Sequence, residues 1–176
     1  MSTAWLGLLR DLFLFRRGPA DVPHAPTLVA VLVAAMIALD VLSQRLLYTT
    51  PGPIEGPFVN MLIGLLMLHV VLQLHGKQAR FVQTATVWIL CRLAVTLASA
   101  IIMWFGAPLP LQSEEVRPEH LVLVCMTLPL LIWYVALRVQ VLRQALDVTL
   151  SRAFIVFLLM GFAQYVMLVA LLEGKP

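Results

Sequence analysis

Charge is scarce in this chain. Only 12% of its 176 residues are Asp, Glu, Lys or Arg, against about 25% in an ordinary soluble domain. So few charges cannot cover a water-soluble surface, which excludes intrinsic disorder and free nucleic-acid binding. Cysteine is nearly absent: there are two, with no CxxC pair, so neither a disulfide scaffold nor a zinc ribbon is expected. No GxSxG, HExxH, Walker or Rossmann pattern occurs. Catalytic residues, a metal and a cofactor are therefore not expected, and the chain reads as non-enzymatic.

Apolar residues take the place of the missing charge, at 61% of the chain and a mean hydropathy of +0.96. They fall into five runs, about 27–46, 58–74, 81–105, 121–139 and 153–172. Each approaches the roughly 20 residues that a helix needs to cross a bilayer. The runs lack period-two alternation and are about twice too long for barrel strands. The fold class is therefore all-α: a polytopic membrane protein with five transmembrane helices. Residues 1–26 form an N-terminal segment and proline-rich linker, and 27–176 form the transmembrane domain. Gly76 stands where a helix C-cap glycine belongs, so the second and third runs form a tight hairpin. Pro129 lies inside the fourth.

Residues 4–15, AWLGLLRDLFLF, are too short to span and are interrupted by Arg10 and Asp11. Trp5, Leu8, Leu9, Leu12 and Phe15 share one helical face. An amphipathic interfacial helix is expected here, ending near Arg17 and Gly18. Trp5, Leu9, Leu12 and Phe13 would anchor it in lipid, with Arg16 and Arg17 at the headgroups. A cleaved signal peptide is not expected, because no cationic region precedes the stretch.

Five spans place the termini on opposite sides. One side receives Arg10, Arg16, Arg17, Lys77, Arg80, Arg138, Arg143 and Arg152; the other receives Arg45, Arg117 and Lys175. The positive-inside rule then puts the N-terminus in the cytoplasm and the C-terminus outside. Text rich in Ala, Leu and Arg but poor in Lys fits a GC-rich bacterium, so the expected location is the inner membrane, with a periplasmic C-terminus. Glu114, Glu115, Glu119 and His120 lie in or beside the longest outer loop and read as a solvated acidic segment rather than a metal site.

Charged groups inside a bilayer are costly and mark candidate sites. Asp40 and Arg92 have opposite sign and lie, with Gln164, roughly 17–20 Å from the cytoplasmic ends of their runs. A buried polar cluster of Asp40, Arg92 and Gln164 is expected. It reads as a pair that fixes helix arrangement, or as a relay or anion site. Arg45 is a rival partner for Asp40. His69 and Gln73 read as a polar helix–helix contact. Small residues repeat at Ala30, Ala34 and Ala38, a spacing that lets helices pack closely.

The segment LFLFRRGPADVPHAP joins an aromatic and cationic stretch to prolines just before the first run. Together with the closely spaced runs that fill residues 1–172, it resembles the Yip1-like families of small membrane proteins. The resemblance implies a five-span bundle with almost no soluble domain, and it carries no catalytic residue to this chain. The expected function is that of an accessory or assembly subunit acting through partner or lipid contacts. Membrane lipids, a membrane-protein partner or a second copy would be the partners. The alternative is a small transporter, channel or lipid-moving protein built on Asp40, Arg92 and Gln164.

Overall fold

The computed structural model describes residues 2–47, 55–105 and 118–172. They form six α-helices: α1 Ser2–Phe13, α2 Pro26–Leu47, α3 Glu55–Leu74, α4 Phe81–Phe105, α5 Pro118–Leu146 and α6 Leu150–Leu172. Short 3-10 turns over Pro19–Asp21 and Gln78–Arg80 lead into α2 and α4. There is no strand among the described residues. The five helices α2–α6 are long and apolar enough to cross a membrane, and the chain is an integral membrane protein. Glu114 and Glu115 lie outside the described residues, as do the side chains of Trp5, Glu119 and His120.

Helix α4 is the hub. It packs most extensively on α2 and α5, while α6 bridges α5 to α3. Its first turns are buried from Thr84 to Ile89. Thr84 and Thr86 can be buried there because each hydroxyl donates to the carbonyl four residues back, at 2.8 Å. Elsewhere the helices expose large apolar side chains outward, among them Val31, Leu62, Ile132 and Phe162. That is the surface a bilayer covers and water would not.

Both connections on the N-terminal face are closed by left-handed caps. Gly76 has φ 67°, with Lys77 N–H bonded to the Leu72 carbonyl and Gly76 N–H to that of Gln73. This is the Schellman arrangement, and a glycine carries it without steric cost. At the end of α5 Asp147 takes φ 56°, with Val148 N–H bonded to the Arg143 carbonyl. Asp147 is also an ionic tie. Lys77 Nζ donates to its carboxylate at 2.6 Å and Arg80 Nη1 at 3.0 Å. These bonds, the Lys77 bond foremost, hold the Asp147 carboxyl below its ordinary value. Arg80 further donates to the Gln144 and Ala145 carbonyls at the end of α5.

Helix α1 ends earlier than its apolar face predicts. It closes after Phe13, where Arg16 N–H bonds to the Asp11 carbonyl and Phe15 N–H to that of Leu12. Phe15 therefore stands off the helix face, exposed, with φ 61°. Leu8 and Leu12 are buried in the main core, Leu9 is half-buried, and Phe13 packs on Trp133 with ring centroids 5.8 Å apart. The helix thus rests on protein through Leu8, Leu12 and Phe13. Arg16 and Arg17 are exposed, and Arg17 Nε lies 3.3 Å from Asp11. Gly18 is set so closely against Gln144 that a Cβ there would collide with it.

Candidate functional site: a polar cavity between α3, α4, α5 and α6

Arg92 on α4 and Asp40 on α2 meet directly. Arg92 Nη2 donates to Asp40 Oδ2 at 2.7 Å, with the two side chains only 20% and 15% exposed. The extensive α2–α4 contact brings them together, and Arg45, farther along α2, is exposed. Gln164 lines one cavity with Arg92 but is not hydrogen-bonded to the pair. Its amide donates instead to Asn60, at 2.6 Å to the side-chain oxygen and 3.0 Å to the carbonyl. Of the expected trio, Asp40 and Arg92 are bonded to each other and Gln164 is bonded to Asn60. Depth along a helix gives height in the bilayer but not azimuth, and α6 faces α3 rather than α2. Gly64 makes that approach possible, since a Cβ there would lie 3.3 Å from the Gln164 amide.

Arg138 needs a larger correction. The sequence reading ends the fourth run at Val139 and counts Arg138 among the headgroup cations. Helix α5 instead continues to Leu146, and Arg138 is 4% exposed. It lies about 12 Å along the axis from the end of the helix. Its guanidinium carbon sits 3.7 Å from the centre of the Trp88 ring and 4.7 Å from that of Tyr134. Tyr134 is one turn earlier on the same helix face, and Trp88 is supplied by α4.

The energetics of this stack are uneven. A central arginine costs about 2.5–3.5 kcal/mol on insertion scales, and a desolvated cation–π contact returns about 2 kcal/mol. Two rings therefore offset much of the cost of the charge. The ring faces offer no acceptor; the Tyr134 hydroxyl is within hydrogen-bonding reach of the guanidinium, and Nε is buried without a hydrogen-bond partner. Among the described residues no carboxylate forms an ion pair with Arg138, whereas Arg92 has Asp40.

Both arginines line one cavity of about 410 Å³ enclosed by α3, α4, α5 and α6. Its polar lining comes from Asn60, Thr96, Tyr134 and Gln164, and its remaining walls are apolar, among them Met61, Leu65 and Phe157. Asp40 stands behind Arg92, outside the lining. The cavity reaches Leu131 on α5 and Gly161 on α6, both exposed. A Cβ at Gly161 would meet nothing within 4 Å.

Trp88, Thr96 and Tyr134 are cavity residues that sequence reasoning passed over, and Arg138 is one that it placed at the headgroups. One signal was present for Arg138: apolar text continues on both sides of it, from Val135 through Leu142. Of the other candidates, His69 meets Phe81 edge-on, with ring centroids 5.1 Å apart. Cys91 and Cys125 are free, one buried and one exposed. Among the described residues no cluster of His, Cys, Asp or Glu is fit to hold a metal.

No protein-family model, curated protein or solved structure matches this chain.

Proposed function

We propose that this is a non-enzymatic membrane protein that acts by holding a lipid or other amphiphile within the bilayer. The observation that carries the reading is the cavity itself. It is lined by two arginines and by polar and apolar side chains of four helices long and apolar enough to span a membrane, and exposed residues of α5 and α6 are among its lining. A polar pocket reached through the side of a bundle suits a molecule that already resides in the membrane. A water-filled pore would instead need polar residues along its whole length, and the described outer half of α5 is apolar from Leu128 to Trp133. The excess of cations on the N-terminal side supports a cytoplasmic N-terminus in a bacterial inner membrane. The exposed Arg16 and Arg17 support a position for the end of α1 near the headgroups. The five-helix plan supports the Yip1-like reading.

A second reading, an accessory subunit, is supported by α2. Ala30, Ala34 and Ala38 all face outward, and a stripe of small residues allows another helix to pack closely. One experiment separates the two readings. The protein is purified in a mild detergent and its composition measured by native mass spectrometry and lipid extraction. Retention of about one lipid per chain is expected. A chain that carries no lipid but a stoichiometric protein partner would replace lipid handling with the subunit role.

A further inference from the structure

We infer that the cavity selects an anionic amphiphile, a carboxylate or phosphodiester on an acyl chain, and that Arg138 is the residue that pairs with its charge. The inference rests on the lipid-holding reading above and names the chemistry of what is held. Three observations carry it. Among the described residues the charged groups lining the cavity are both arginines, and no carboxylate lines it. Arg92 is already neutralised by Asp40 at 2.7 Å, whereas Arg138 has aromatic faces on two sides and an Nε with no acceptor. Arg138 is also 4% exposed, and the Tyr134 hydroxyl, a neutral group, is the side-chain partner its guanidinium has, so its charge is left without a counter-ion. An arginine buried without a counter-ion beside a polar cavity is complementary to an anion and hostile to a cation.

The rest of the lining fits the same ligand. The hydroxyls of Thr96 and Tyr134 can donate to an anionic oxygen. The apolar walls suit the first part of an acyl chain, and the volume holds a headgroup with part of its tail rather than a whole lipid. The tail leaves through the side of the bundle between Leu131 and Gly161, where the missing side chain of Gly161 keeps the path open. A free inorganic anion would satisfy Arg138 but would leave those walls and that opening without use.

The test is a titration of the purified full-length protein in detergent, read by native mass spectrometry. The probes are phosphatidylglycerol and phosphatidylcholine with identical chains, and inorganic phosphate in a separate arm. The unaltered protein should favour phosphatidylglycerol roughly ten- to hundredfold, as expected for a desolvated charge-assisted pair. Arg138→Gln should bring the two lipids to near equality, while Arg138→Lys should keep part of the preference. Gly161→Leu should weaken both lipids alike, because it blocks the path and leaves the charge. Equal binding of the two lipids by the unaltered protein overturns the anion inference and leaves the lipid-holding reading intact. Binding of phosphate alone, lost in Arg138→Gln, keeps the anion site and overturns lipid holding. Absence of all binding overturns both. The lipid preference is read on the unaltered chain, so the inference stays falsifiable even where Arg138→Gln does not fold.

Discussion

The Asp40–Arg92 pair offers the sharpest energetic test of how this bundle is held together. Its two side chains are 15% and 20% exposed within the protein, and the 2.7 Å bond joins α2 to α4 across their main contact. Removing one partner of such a pair leaves a buried charge uncompensated, which costs about 3–5 kcal/mol. Asp40→Asn should fall near the lower end, since the amide oxygen can still accept from Arg92 but no longer neutralises it. Arg92→Gln should cost about as much, because it strands the carboxylate. The double variant removes both charges and should be far milder than the sum of the singles, with a coupling of about 2 kcal/mol or more. The assay is reversible unfolding in mixed detergent micelles, followed by helical circular dichroism and applied to all four chains. A double variant as unstable as the two single losses added together would refute the reasoning. The pair would then be a contact without energetic coupling, and α2 would be held on α4 by apolar packing alone.

Three further outcomes are expected. Phe15 carries a left-handed backbone, φ 61°, on an exposed side chain, and glycine takes that conformation without strain; Phe15→Gly should raise stability by up to about 1 kcal/mol in a thermal melt. Asp147 is held below its ordinary value by Lys77 and Arg80, so its contribution is full above about pH 3.8 and is lost as pH falls below that. Asp147→Asn keeps a residue tolerant of φ 56° and removes the charge; its melting temperature should differ from that of the parent at pH 6 and converge with it in acid, and a constant difference at both would contradict the ionic tie. For orientation, with Cys91 and Cys125 replaced, a single cysteine at Lys77 should label only from the cytoplasm and one at Gln112 only from outside, and the reverse pattern would invert the topology.

Much of this protein is legible in one dimension. Its five spans are long, nearly unbroken apolar runs, and a bilayer requires such runs to be helical because their backbone groups find no water to bond. The Gly76 turn was legible for a similar reason, since a left-handed cap has a chemical signature in the residue that occupies it. The meeting of Asp40 with Arg92 follows from rarity: where two opposite charges lie at similar depth inside a membrane, few other partners exist for either. The end of α1 was not legible, because Phe15 adopts a conformation that its side chain disfavours and only the closing hydrogen bonds impose it.

What lay beyond the sequence depends on azimuth, on which helix faces which. Gln164 has the right depth to meet Arg92, but α6 is set against α3, so the amide bonds to Asn60. Arg138 carries the chemical mark of a headgroup cation near the end of an apolar run. Whether an arginine reaches water or is folded inward depends on whether rings from other turns and other helices lie ready to cover it. Trp88, fifty residues earlier in the chain, and Tyr134, one turn away, provide that cover. Hydropathy measures how much a segment prefers lipid and says nothing about which of its faces meets protein, so the cavity, with an arginine that has no counter-ion among the described residues, arises only when α3, α4, α5 and α6 are brought together.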